Sequence, residues 1–191
     1  MKLLQEKIKA EGEVLSETIL KVDSFLNHQI DAKLMLEIGK VFAERFKNEG
    51  ITKVITIEVS GIAPAMAAAA YLDVPLVFAK KTKSVTMDEN VYSSQVVSFT
   101  KGVTNTIQIA KRFIDEQDKI LIIDDFLASG NALVALNEII NDGGATLVGT
   151  GIVIEKGFQK GGEKLRKEGF KIESLAIIEK MSAKEGIIFK K

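Results

Sequence analysis

A pair of acidic residues followed by a short loop and a helix is the part of the sequence best suited to chemistry. The apolar run that begins at Lys119 stops at Asp124 and Asp125, and a helix with one apolar face follows the loop. Free backbone N–H groups and the dipole at a helix start attract a phosphate dianion. Gly130 would let the backbone approach the phosphate, and its small neighbours would leave room. The predicted phosphate loop consists of Ala128, Ser129, Gly130, Asn131 and Ala132.

The acids would lie at the mouth of this phosphate loop. A sugar attached to the bound phosphate would lie back along the loop, where Asp124 and Asp125 could accept hydrogen bonds from its hydroxyls. Carboxylates there also suit a transition state with positive charge on the sugar carbon. An acid pair at a strand end is often only solvated, and a Ser-Gly pair often only caps a helix. The prediction therefore depends on the combination of apolar strand, acid pair, glycine loop and helix. The segment matches neither the Walker pattern nor the dinucleotide fingerprint.

Alternating strand and helix patterns must position this segment. Asp31 can cap a helix that runs to about Glu49 and ends at Gly50. Further helices are predicted at Ala63–Leu72 and from Ala132 to Gly143, and strands at Lys53–Glu58, Val74–Ala79, Lys119–Asp125 and Leu147–Ile154. This order predicts an α/β fold with a central, mostly parallel sheet flanked by helices. Ligands of such sheets bind beyond the carboxyl ends of the strands.

Composition excludes several classes of protein. The 191 residues fit one domain, and an apolar content of 46% is enough for a substantial core. A net charge of zero argues against broad nucleic-acid binding. Without cysteine there are no disulfides or thiolate metal sites, so a cytoplasmic protein is expected. The charged N-terminus is unlike a signal peptide, and the uncharged run Val59–Leu72 is too short to span a membrane.

The segment Leu121–Ala132 resembles the phosphoribosyl pyrophosphate motif of the type I phosphoribosyltransferases. The resemblance covers nearly the whole chain and is closest to the members that use xanthine. Four further segments carry it: Leu20–Asp31, Ser60–Pro64, Phe78–Lys81 and Gly151–Phe158. It implies the type I phosphoribosyltransferase fold, with a small hood built from about 1–30 and parts of 156–191. A flexible lid would span about 80–104, where the sequence alone is compatible with either a β-hairpin or a long loop.

The resemblance also implies an activity and its partners. The chain would transfer the 5-phosphoribosyl group from phosphoribosyl pyrophosphate to xanthine, with Mg²⁺ accompanying the pyrophosphate, and the active form would be a homodimer. Leu20, Asn27 and Lys156 would contact the xanthine, while Ser60 and Gly61 would face the pyrophosphate. Asp124 and Asp125 would bind the ribose hydroxyls of the substrate.

Several of these residues also have ordinary interpretations. An Asn before a helix is often a cap, and most lysines, Lys156 included, could simply lie at the surface. Phe126 could pack on a purine face or belong to the core. Lys80 and Lys81 could pair with pyrophosphate oxygens or form a solvated charge run. The only histidine, His28, is interpreted as structural.

The chain departs from the family pattern in the phosphate loop. Many relatives have Gly-Thr where this chain has Asn131-Ala132, so one hydroxyl donor is lost. Some purine-specific relatives have an acid at the position of Ala128, which helps to protonate the purine ring. Because this chain has alanine there, the resemblance implies no general acid for the base. The competing functions are a regulator of the same fold that senses phosphoribosyl pyrophosphate without turnover, and a transferase for guanine or hypoxanthine.

Overall fold

A six-stranded sheet forms the centre of the fold in the computed structural model of the chain, which describes residues 1–81, 90–98 and 103–190. The strands are β1 Glu13–Val14, β2 Leu20–Lys21, β3 Lys53–Ile57, β4 Leu76–Ala79, β5 Val91–Ser98, β6 Val103–Ala110, β7 Lys119–Leu127, β8 Thr146–Lys156, β9 Ile172–Ser182 and β10 Gly186–Phe189. The order in the central sheet is β10-β9-β8-β7-β3-β4, and only β10 runs antiparallel to its neighbour. The predicted α/β architecture is confirmed.

The sheet is covered by helices on both faces because its central strands are apolar on both sides. Ile120, Leu121, Ile122 and Ile123 of β7 are completely buried, as expected for a central parallel strand. The helices are α1 Lys2–Glu11, α2 Ala32–Phe46, α3 Ile62–Leu72, α4 Asn131–Asp142 and α5 Gly161–Lys167. Their apolar faces join two hydrophobic clusters, one containing the N-terminal residues and α2, the other containing α4.

Helix α2 shows how local chemistry sets its ends. The side chain of Asp31 accepts a hydrogen bond from the backbone N–H of Leu34, which confirms the predicted cap. The helix ends at Phe46, before the predicted end at Glu49. Gly50, with φ of +64°, adopts a left-handed conformation in the connection to β3.

The segment after β4 forms a hairpin where the structure describes it. Strands β5 and β6 pair antiparallel along their whole length, from Val91 opposite Ala110 to Ser98 opposite Val103. Of the two alternatives for this region, the hairpin is therefore correct. Residues 82–89 and 99–102 of the expected lid lie outside the described residues.

The N-terminal segment adds a small two-stranded sheet, β1 with β2, beside the central sheet. Its position is fixed in part by the N-terminal amino group, which donates to the carbonyl oxygen of Leu175 in β9. The division of the chain into a main domain and a hood stays a prediction. Among the residues that the structure describes, no helix is both long and apolar enough to cross a membrane.

Candidate active site

The paired acids at the end of β7 differ in their surroundings. Asp124 is only 6% exposed, whereas Asp125 is half-buried. Burial, followed by the negative charge of Asp125, raises the pKa of Asp124 well above its ordinary value. Asp124 also accepts the backbone N–H of Asp125 through Oδ1 at 3.0 Å. The structure thus buries Asp124 and leaves Asp125 partly exposed, and the contact of both carboxylates with a sugar stays a prediction.

Asn27 lies directly against this acid pair. It ends a single π-helical turn, Asp23–Asn27, that packs on the N-terminal core. Its Nδ2 donates to Oδ2 of Asp125 at 3.1 Å, across 98 positions of sequence. The bond fixes the amide, so that Oδ1 of Asn27 points away from the carboxylate. The residue expected to contact the base is thus bonded to a residue expected to bind the sugar.

Lys156 and Phe126 lie next to each other at the ends of β8 and β7. The Nζ of Lys156 lies 5.3 Å from the centre of the Phe126 ring and donates to the carbonyl oxygen of Thr18 at 2.8 Å. Burial lowers the pKa of Lys156, opposed by the negative charge of Asp125. Lys156 is therefore half-buried at the site and not an ordinary surface lysine.

The apolar residues of the site are shared with the core. Phe126 packs against the N-terminal hydrophobic cluster, and the cation of Lys156 lies over its ring. Phe126 is therefore in contact with both the core and Lys156, and its packing on a purine stays a prediction. Leu20, in β2, is 7% exposed and belongs to the same cluster. Its expected contact with a base stays a prediction.

The phosphate loop joins β7 to α4 through a left-handed residue. Gly130 has φ of +89° and occupies the N-cap position of α4, so no side chain at that position occupies the first N–H groups of the helix. A Cβ on Gly130 would lie 2.6 Å from Cδ1 of Leu165. The backbone conformation of Gly130 and its packing on α5 therefore both favour glycine here, and the close approach of a phosphate stays a prediction.

Helix α5 packs against the backbone of the phosphate loop. The sequence analysis did not predict this contact. A Cβ on Gly161 would lie 2.1 Å from the carbonyl oxygen of Ala128 and 2.5 Å from the carbonyl carbon of Ser129. Only glycine permits this contact between backbones. The sequence signal is the Gly161-Gly162 pair at the start of a short helix.

The loop after β3 packs beneath the acid pair. A Cβ on Gly61 would lie 2.2 Å from Oγ1 of Thr56 and 2.8 Å from Oδ1 of Asp124. Ser60 precedes it on the same half-buried turn, after the cis peptide bond between Glu58 and Val59. The structure thus brings Gly61 to Asp124, with Ser60 next to it in the chain, and adds Thr56 as a neighbour that the sequence did not indicate.

The structure separates the two lysines that follow β4. Lys81 has its backbone N–H bonded to Oε1 of Glu58 at 2.6 Å, and its positive charge acts on Asp124. Lys80 pairs through its backbone with Gln108 of β6 and lines a groove at the outer edge of β4 together with Phe78 and Phe113. Of the two lysines, Lys81 is the better placed to meet an anionic ligand.

Comparisons with known proteins agree with this geometry. A model of the phosphoribosyl transferase domain matches residues 26–184, and the chain therefore belongs to the phosphoribosyltransferase family. It is similar to the xanthine phosphoribosyltransferase of Oceanobacillus iheyensis, with 54% identity over 95% of this chain and 94% of that protein. It is also similar to the xanthine phosphoribosyltransferase of Bacillus cereus strain AH187, with 58% identity over 93% of this chain and 90% of that protein.

Solved structures confirm the fold. The adenine phosphoribosyltransferase of Thermoanaerobacter pseudethanolicus superposes with a TM-score of 0.73 at 22% identity, over 91% of this chain and 98% of that one. The adenine phosphoribosyltransferase of Trypanosoma brucei, in complex with AMP, pyrophosphate and ribose 5-phosphate, gives a TM-score of 0.74 at 19% identity, over 91% of this chain and 79% of that one. At such identities the likeness concerns the fold, and the expected type I phosphoribosyltransferase fold is confirmed.

Proposed function

We propose that this chain transfers the 5-phosphoribosyl group from phosphoribosyl pyrophosphate to xanthine, giving xanthosine monophosphate and pyrophosphate. The observation that carries the proposal is the hydrogen bond between Asn27 and Asp125, beside Lys156. Asn27 and Lys156 are suited to the edge of a purine, and the carboxylate of Asp125 is suited to a ribose. The hydrogen bond places these groups side by side. The family membership and the names of the similar proteins support the same assignment.

The 5-phosphate would bind at the start of α4. The N–H groups of the phosphate loop and the helix dipole favour a dianion there. Asn131 and Ala132 supply no hydroxyl donor at the end of the loop, so the backbone carries most of the binding. Because the loop packs directly on α5, it is held ready for the ligand and little ordering is needed on binding.

The base would lie against Asn27, Lys156 and Phe126. The ammonium group of Lys156 can donate to a purine carbonyl oxygen, which favours an oxo-purine over an amino-purine. In the structure one of the three N–H groups of the ammonium donates to the carbonyl oxygen of Thr18, which leaves two to donate to a bound base. With Nδ2 of Asn27 bonded to Asp125, its Oδ1 is left to accept an N–H of the base. Xanthine offers both carbonyl oxygens and N–H groups.

The transfer itself would need positioning and charge stabilisation but no covalent nucleophile. A purine nitrogen attacks the C1 carbon of the ribose as pyrophosphate leaves, and Asp125 would stabilise the positive charge that develops on the sugar. Asp124, whose raised pKa favours the neutral form, would support Asp125 from beneath. The lid predicted at about 80–104 would exclude water that could otherwise capture the same carbon.

Mg²⁺ is part of the proposal as a companion of the pyrophosphate. The described residues contain no group of three or more His, Cys, Asp or Glu side chains that could hold a metal by themselves. Mg²⁺ commonly binds through substrate phosphates and only one or two carboxylates, which fits a site with Asp125 as the accessible acid. The bound ion would neutralise charge on the departing pyrophosphate.

A purified-enzyme assay tests the proposal. Pyrophosphate release from phosphoribosyl pyrophosphate is measured with xanthine, guanine, hypoxanthine and adenine in turn, with and without Mg²⁺. We expect the highest kcat/KM with xanthine and no turnover without the metal. Tight binding of phosphoribosyl pyrophosphate without turnover on any base would instead favour a sensor of the same fold. Light scattering of the same sample tests the expected homodimer.

A further inference from the structure

A buried ion pair lies behind the phosphate loop, outside the contacts that would touch substrate. The carboxylate of Glu155, in β8, is 4% exposed and accepts two hydrogen bonds from Arg166 of α5, at 2.9 and 2.7 Å. Ser174 of β9 donates to the same carboxylate, and Arg166 also donates to Ser174 and to the carbonyl oxygen of Ile172. Burial alone would raise the pKa of Glu155, but these bonds hold it below its ordinary value.

This pair fixes the helix on which the phosphate loop rests. Helix α5 has seven residues, too few to be stable by itself, so its position depends on tertiary contacts. A Cβ on Gly162 would lie 2.2 Å from Oε1 of Glu155, so the start of the helix sits directly on the carboxylate. The residue before it, Gly161, sits equally closely on the backbone of Ala128 and Ser129. A continuous contact therefore runs from the Glu155 carboxylate to the phosphate loop.

We propose that Glu155 and Arg166 are positioning residues that hold the phosphate loop in its anion-binding shape through α5. The proposal rests on the proposed function, because it assigns phosphate binding to that loop. Neither residue touches the ligand. Their contribution is to place Gly161 and Leu165 against the loop, so that its N–H groups converge without having to be ordered by the phosphate.

The chain offers a close control for Arg166. Arg45 of α2 also bonds to a glutamate, Glu173, at 2.8 Å, and its side chain is 35% exposed compared with 34% for Arg166. The partner of Arg45 is itself 42% exposed. Arg45→Met therefore removes a similar arginine contact while leaving the hydrogen bonds of Arg166 to Glu155, Ser174 and Ile172 in place.

The test measures binding of ribose 5-phosphate by calorimetry, together with the KM values of both substrates. We expect Arg166→Met to weaken ribose 5-phosphate binding by about ten-fold or more and to raise the KM of phosphoribosyl pyrophosphate similarly. The KM of xanthine should change less than about two-fold, because Lys156 is held separately by Thr18. Arg166→Lys, which keeps the charge but loses the fork of hydrogen bonds, should lie in between. It also serves as the test if Arg166→Met does not fold.

Two results would overturn the inference while leaving the proposed function intact. One is unchanged ribose 5-phosphate binding by the Arg166 variants, or a change no larger than that of Arg45→Met. The other is an equal rise of both KM values, which would indicate a general loss of structure. Failure of the wild-type chain to bind ribose 5-phosphate would instead overturn the assignment of the phosphate loop, and the inference with it.

Discussion

Asp125 is the residue at which the predicted parts of the site meet. It accepts a hydrogen bond from Asn27, lies near the charge of Lys156, and donates its backbone N–H to the carboxylate of Asp124. If Asn27 binds the base and Asp125 the sugar, as proposed, this contact couples the two, and altering either residue should affect both ligands.

Asn27→Ala tests the role of this amide in base selection. The change removes an acceptor for a base N–H, and the preference for xanthine over hypoxanthine in kcat/KM should fall by about ten-fold, equivalent to ~1.4 kcal/mol. His28→Ala, at the exposed neighbouring position, serves as the control and should leave the preference unchanged. If Asn27→Ala kept the wild-type preference, Asn27 would have no part in reading the base.

Asp124→Asn tests whether the buried acid is neutral in the folded state. Because burial raises its pKa, the wild type should lose stability as pH rises above the ordinary value of 3.8 towards the raised native pKa. The slope from this group is at most about 1.4 kcal/mol per pH unit, and Asp124→Asn should lack it. Urea unfolding of both proteins between pH 5 and pH 8 measures the difference. A constant difference across this range would mean that Asp124 binds no more protons in the folded state than in the unfolded state, so that it is already ionised in the fold.

At the scale of elements, glycines decide how closely the loops of the site approach one another. Gly61 lies beneath the acids, and Gly161 lies behind the phosphate loop; in both places a Cβ would collide with neighbouring atoms. These contacts join loops that follow different strands. The site is therefore a packed assembly of loops whose spacing depends on the absence of side chains.

Gly61→Ala should disturb the site more than the fold. The added methyl would push against Thr56 and Asp124, at a cost in stability of about 1–3 kcal/mol. Because the acids would move, we expect the KM of phosphoribosyl pyrophosphate to rise at least about ten-fold, measured by steady-state kinetics. Gly149→Ala is the control, since the three atoms nearest to its Cβ would all belong to Phe46 in the core. An equal effect on KM in both variants would show that overpacking, and not the place of Gly61, is responsible.

For the whole molecule, the two ends of the parallel sheet differ: one carries the candidate active site, and the other carries a mostly buried ion pair. The carboxyl ends of β3, β7 and β8 carry the site, whereas the amino ends are joined by Lys53 and Asp118, an ion pair with side chains 14% and 11% exposed. Thr52 also donates to Asp118 at 2.8 Å. This cluster should therefore affect stability without affecting catalysis.

Asp118→Asn tests this separation. Although burial opposes it, the hydrogen bonds from Lys53, Asp115 and Thr52 hold the pKa of Asp118 below its ordinary value of 3.8. Its contribution is thus present above pH 3.8 and lost as pH falls through the lowered native pKa. At pH 7 we expect the variant to lose about 1–3 kcal/mol in the free energy of unfolding, with unchanged KM values.

The exposed pair Lys47–Glu44 provides the control for Asp118→Asn. Its side chains are 57% and 70% exposed, so Glu44→Gln should change stability by less than about 1 kcal/mol. A change in the KM of either substrate in Asp118→Asn would contradict the separation of the two ends of the sheet.

Local patterns in the sequence were sufficient for the order of the elements from α2 to β8 and for the position of the main motif, but they did not indicate α1, α5, β9 or β10. Hydrophobic periodicity identified β7 and α2, and the Asp31 cap depends only on neighbouring residues. The loop predicted to bind phosphate stands out because an apolar strand, acids, a glycine and a helix are adjacent in sequence, and the structure confirms the strand and the helix on either side of it. The polar sequence of β5 and β6 fits either a hairpin or a long loop, so local patterns did not distinguish the two.

The amino-acid sequence by itself determined which residues could do chemistry, because residue type and local spacing are properties of neighbouring positions. Only the tertiary structure decided their states and their neighbours. Burial made Asp124 unlike Asp125, the folding of the N-terminal segment brought Asn27 to Asp125, and α5 packed closely against Gly130 and the residues before it. Solvent exclusion and contacts between distant segments arise only when the whole chain is folded, so no local pattern contains them.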